Sequence, residues 1–133
     1  MARLTPAMQE MIAQQQCFVA TVGEDGWPNV GPKRSTRVLD AEHLAFNEVT
    51  GRHTYANLRR DPRVAVAVVD REHMDGYRFL GRAEVLEEGA LFESAVRAAE
   101  ERGAPRPRAV VRIRVEEIYS LQPPRAGSRV DAG

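Results

Sequence analysis

The chain is poor in several things that would announce a function. A single cysteine, Cys17, excludes an intrachain disulfide and any thiolate metal cluster within one chain. Net charge is also missing. Nineteen Lys and Arg stand against nineteen Asp and Glu, so no overall basic field exists to hold nucleic acid without sequence preference. Aromatic residues make up only 6% of the chain, which leaves few rings for stacking on bases. No run approaches the about 18–20 apolar residues of a membrane-spanning helix. The opening MARLTPAMQEMIAQQQ lacks a charged segment followed by a long apolar one, so no signal peptide is read. These absences lead to the expectation of a soluble cytoplasmic protein that binds neither nucleic acid nor membrane. Lysine is reduced to Lys33 alone, beside many arginines.

What is present is enough for a core. Apolar residues form 43% of 133 residues, which predicts one domain over 1–133 around one hydrophobic centre. Thr5-Pro6 reads as a helix start, with Met8, Met11 and Ile12 at helical spacing, giving an N-terminal helix within 1–16. Strands are predicted at 17–22, along 28–39 with a bend at Gly31-Pro32, at 43–47, at 64–69 with both faces covered, at 77–86 and at 109–119. Arg52 to Asp61 and Gly89 to Arg102 read as helices, stopped by Pro62 and Gly103. The tail 122–133, rich in proline, glycine and serine, is expected to be flexible. Six strands joined mostly by tight turns predict a mainly β, α+β fold: a small, closed or nearly closed antiparallel barrel with short flanking helices.

Two segments carry candidate chemistry. GPKRSTR (31–37) sets three cations and two hydroxyls on a predicted strand, with Lys33, Ser35 and Arg37 on one face. Such a strand is either a solvated edge that deters aggregation or an anion site. EVTGRHT (48–54) runs straight into a helix and offers a glycine, hydroxyls, a guanidinium, an imidazole and the unpaired N–H groups of a helix start. Those groups suit a phosphate; the alternative is that Thr50 caps the helix while Arg52 and His53 are solvated. The three histidines, His43, His53 and His73, match no helical metal-ligand spacing, and no metal site is expected. No nucleophile elbow, Cys-His pair or phosphate-binding loop of the nucleotide-hydrolase type is present, so no catalytic residue is assigned.

Taken together, AFNEVTGRHTYANLRRDPRVAVAVVD (45–70), preceded by GPKRSTRVLD (31–40), resembles the FMN-binding split barrels related to pyridoxamine 5′-phosphate oxidase. The likeness extends to the small FMN-binding and flavin-reductase-like members and spans nearly the whole chain. It implies a six-stranded antiparallel split barrel that forms a homodimer with FMN at the subunit interface. It further implies that Lys33, Arg34 and Ser35 contact FMN, and that Phe46, Asn47 and Glu48 border the pyrimidine edge of its ring. Gly51, Arg52, His53 and Thr54 would hold its phosphate. Many members carry lysine where His53 stands, and a neutral imidazole supplies only one donor. The ending SLQPPRAGSRVDAG lacks the arginine- and histidine-bearing segment with which authentic pyridoxamine phosphate oxidases grip substrate, so vitamin B6 oxidation is not expected.

The resemblance implies a flavin-dependent oxidoreductase or electron-transfer protein that draws on NADH or NADPH. A deazaflavin-dependent reductase on the same fold, or a protein that stores or senses flavin without catalysis, are the other readings. The two redox readings leave the chemistry to the cofactor, and the third needs none, which agrees with the lack of an encoded acid–base pair.

Overall fold

The computed structural model describes residues 2–130. Its elements run α1 (Pro6–Gln14), β1 (Cys17–Val22), β2 (Pro28–Pro32), β3 (Arg37–Asp40), β4 (His43–Glu48), α2 (His53–Arg60), β5 (Arg63–Asp70), β6 (Asp75–Leu86), α3 (Ala90–Arg102) and β7 (Ala109–Ser120). Local chemistry explains several boundaries. Thr5 Oγ1 accepts the Met8 N–H at 3.3 Å while the Met8 sulfur accepts the Thr5 N–H, and Pro6 occupies the first turn of α1. Gly103 closes α3 in the left-handed region at φ 67°.

Seven strands form one antiparallel sheet in the order β2-β1-β5-β6-β7-β4-β3. Six were expected, and the difference lies in 28–39. That stretch is not one bent strand. Residues 33–36 make a turn in which Lys33 O accepts both the Thr36 N–H at 3.1 Å and the Thr36 hydroxyl at 2.7 Å. The turn separates β2 from β3 and sends them to opposite edges of the sheet, so Lys33, Ser35 and Arg37 do not share a strand face. The consequence is geometric. Five residue steps from Pro32 to Arg37 reach at most about 18 Å, whereas seven flat strands would set the edges about 29 Å apart. The sheet is therefore rolled until its edges meet at this turn, which is the closure of the barrel.

The interior is filled by alternate residues of the strands, among them Val19, Leu44, Phe46, Val66, Phe79, Val111, Ile113 and Ile118, with Met8 and Ile12 of α1 and Leu58 of α2. The β6–β7 register shifts between Leu80 and Gly81. There a Cβ on Gly81 would run into the Arg114 carbonyl oxygen, so the close approach requires glycine. A smaller cluster joins Ala95 and Leu91 of α3 to Ala45 and Val110.

Strand β5 is covered on one face only. Val64, Val66 and Val68 are buried, whereas Val69 is 50% exposed. Part of the expected flexible tail folds back. Gly127 N–H donates to Ser120 O at 2.7 Å, Val130 N–H donates to Ile118 O at 2.8 Å, and Val130 packs on the core. The rest of that expectation, 131–133, and Met1 lie outside the described residues. No helix is long and apolar enough to cross a membrane among the described residues.

Candidate functional site

The closure turn and the loop before α2 are fastened together by Glu48. Its carboxylate is buried, and its Oε1 lies 3.1 Å from Lys33 Nζ. The other oxygen, Oε2, accepts the Gly51 N–H at 3.0 Å and the Thr50 hydroxyl at 3.4 Å. Lys33 also sits over the Phe46 ring, 5.6 Å from its centroid. One carboxylate at the end of β4 thus holds the β2–β3 turn on one side and the approach to α2 on the other.

A second set of bonds fixes the turn to β4. Ser35 Oγ accepts the Asn47 N–H at 2.8 Å. Arg37 Nη1 donates to Ser35 O at 3.0 Å and to Asn47 Oδ1 at 3.2 Å. Burial, and then the nearby charge of Arg102, draw Arg37 below the usual arginine value. Between this turn and α3 lies a groove of about 830 Å³. Lys33, Arg34, Arg37 and Arg102 line it, Leu39, Val49 and the α3 alanines give it apolar walls, and no carboxylate is among its lining residues. A groove of that character favours an organic anion with an apolar body.

The chain then passes Gly51, which takes φ +68°. Arg52 stands at the N-cap of α2 without a side-chain cap bond, so the helix's first N–H groups have no side-chain acceptor from it. His53 lines a second groove of about 650 Å³ with Asn29, Trp27 and Arg60. Thr54 is buried, and its Oγ1 accepts from Asn29 Nδ2 at 3.3 Å, leaving its own hydroxyl proton to donate elsewhere.

The candidate residues therefore divide. Lys33, Arg34, Ser35 and Asn47 gather on the first groove together with Thr50, and His53 opens onto the second. Gly51 and Arg52 connect the two. The Phe46 side chain lies in the core, and the Glu48 carboxylate is committed to its three donors. Thr50 does not cap α2; its hydroxyl turns to Glu48. The other two histidines pair locally on the surface, His43 with Asp40 and His73 with Asp70, and hold both carboxyls below their usual range. Among the described residues no three metal-ligating side chains converge. Arg102 and Arg108 were absent from the expected site. Only tertiary packing brings α3 and the start of β7 to these loops.

Comparison with known proteins places this geometry. Residues 4–122 match the family described as pyridoxamine 5′-phosphate oxidase. The chain belongs to that family. HupZ of Group A Streptococcus is 41% identical and superposes with a TM-score of 0.86, covering 94% of this chain and 99% of the other. A putative pyridoxamine 5′-phosphate oxidase of Lactobacillus delbrueckii is 32% identical with a TM-score of 0.77, covering 88% and 93%. An uncharacterized protein of Methanocaldococcus jannaschii is 31% identical over 125 residues, which are 90% of this chain and 82% of that one. An FMN-binding protein of Syntrophomonas wolfei shares the fold at 16% identity, TM-score 0.72, over 86% and 83%. The seven-stranded barrel is thus the split-barrel fold of this family.

Proposed function

We propose that this protein binds FMN and serves as a flavin-dependent oxidoreductase or electron-transfer protein supplied by a reduced nicotinamide. The observation that carries the reading is the pairing of two cationic loops by one buried carboxylate. Glu48 neutralises Lys33 and leaves Arg34, Arg52 and the start of α2 for an anion. Family membership and a fold shared with an FMN-binding protein support it.

The residues fit the group. Arg52, His53 and Thr54 would hold the phosphate through a guanidinium, backbone N–H groups and a hydroxyl proton, while Gly51, whose own N–H goes to Glu48, would let the backbone approach it. Lys33, Arg34, Ser35 and Asn47 would flank the rest of the cofactor, while Phe46 and Glu48 support that surface from beneath. Bound FMN supplies the redox chemistry; this chain's residues bind, orient and shield it. The assembly we propose is a homodimer. The outer face of β2-β1-β5 is nearly all apolar, with Phe18 46%, Val30 67% and Val69 50% exposed beside Ala20 and Ala67. A patch of that kind marks an interface on a soluble protein.

Anaerobic titration of the purified protein with FMN, followed by NADH or NADPH, tests the reading. Quenching of flavin fluorescence on binding and bleaching by the nicotinamide are expected. Arg52→Ala should weaken FMN far more than riboflavin. Absence of quenching defeats the binding claim, and equal losses for both ligands would remove Arg52 from the phosphate.

A further inference from the structure

We infer that Arg108, in the proline-flanked segment before β7, is a second guanidinium of the phosphate site and sets the preference for FMN over riboflavin. The inference rests on the FMN reading above and adds a residue from a distant part of the chain.

Three observations carry it. First, Arg108 lies across Gly51. A Cβ built on Gly51 would fall 2.7 Å from Arg108 Nε and 2.9 Å from Cζ, so the absent side chain is the space that the guanidinium stem occupies. Second, Glu48 fixes both partners. Its main-chain oxygen accepts the Arg108 N–H at 2.8 Å while its carboxylate accepts the Gly51 N–H at 3.0 Å. Arg108 and the α2 entrance are thus held in register by one residue, and the buried Pro107 stiffens the backbone just before it.

Third, the guanidinium has no direct ion-pair partner among the described residues, although its charge reaches Glu87. Glu87, the acidic residue near Arg108, is already taken by the Tyr55 hydroxyl at 2.7 Å and by Arg59 at 2.7 Å. Arg108 forms no ion pair among the described residues. With Arg52 at the N-cap, it gives the loop two guanidiniums around one glycine. A phosphate dianion answers both, because each planar fork can donate to phosphate oxygens in parallel. Riboflavin, which lacks the phosphate, would meet neither.

Fluorescence titrations of the wild type, Arg108→Ala and Arg108→Lys with FMN and with riboflavin test this. Arg108 is exposed, so its removal leaves the fold intact, which a melting curve verifies. Arg108→Ala should raise the FMN Kd about tenfold or more and leave riboflavin within about twofold, the range of a lost charged hydrogen bond. Arg108→Lys should recover part of the loss, since the charge returns without the fork. The salt dependence of FMN binding should be shallower in Arg108→Ala. FMN binding unchanged by Arg108→Ala, or FMN and riboflavin weakened alike, overturns the role of Arg108 while the FMN reading stands. A wild type that binds no FMN overturns both.

Discussion

Removing the Glu48 carboxylate is the sharpest test of how this site is built. In Glu48→Ala, Lys33 keeps its charge in a position where only 19% of its side chain is exposed, and the Gly51 N–H loses its acceptor. Breaking a buried ion pair from one side costs about 3–5 kcal/mol. The partial exposure of Lys33 places the cost at the lower end, about 3 kcal/mol. Unfolding entropy near about 2.1 cal/mol/K per residue gives ~0.28 kcal/mol/K for 133 residues, so the melting temperature should fall by about 11 °C. Glu48→Gln keeps an acceptor for Gly51 and should fall by roughly half as much. Adding Lys33→Met to Glu48→Gln removes the stranded cation and should win back part of the loss, so the two changes are not additive. Scanning calorimetry on these four proteins and on Lys33→Met alone reads these numbers. A drop under about 3 °C for Glu48→Ala, or additive losses in the double variant, would show that the pair does not hold the seam.

Two further expectations concern parts of the molecule away from the loops. Phe18→Asp or Val30→Asp should convert the proposed dimer to a folded monomer by light scattering, and an unchanged mass would clear the β2-β1-β5 face of that role. Burial pushes the Cys17 thiol up to about 11. The folded state thus prefers the neutral thiol. Stability from this group is complete below about pH 9, the ordinary value, and falls by up to about 1.4 kcal/mol per pH unit as pH rises toward 11. At pH 8 an aromatic disulfide reagent should label Cys17 only as fast as the protein opens; rapid labelling of the native state would contradict the burial.

Much of this architecture is legible in local sequence. Thr5-Pro6 marks α1, the alternation from Tyr77 to Leu86 marks β6, and Gly103 ends α3, because each signal is carried by neighbours in the chain. The division of 28–39 is not legible. A β-like run with Gly31-Pro32 reads alike whether the chain bends within one strand or crosses from edge to edge. The deciding bonds converge on the Lys33 carbonyl oxygen. The site shows the same boundary. The resemblance implied Lys33 and Glu48 at a cofactor, and the structure joins them to each other across fifteen positions, a contact that no local signal states. Arg102 reads as a charge near a helix end and Arg108 as one of two arginines that each follow a proline. Nothing near them in sequence states that α3 approaches the closure turn or that the start of β7 reaches Gly51.

The turn at 33–36 carries a liability as well as a site. Strands β2 and β3 are the two free margins of the sheet, and each presents a row of N–H and C=O groups to any passing strand. The four residues between them act as a hasp, tying one margin to the other at a single point. Loosening Lys33, Ser35 or Glu48 would therefore do more than blunt ligand recognition. It would free two strand edges at once, and the variant would gain a route to self-templating aggregation.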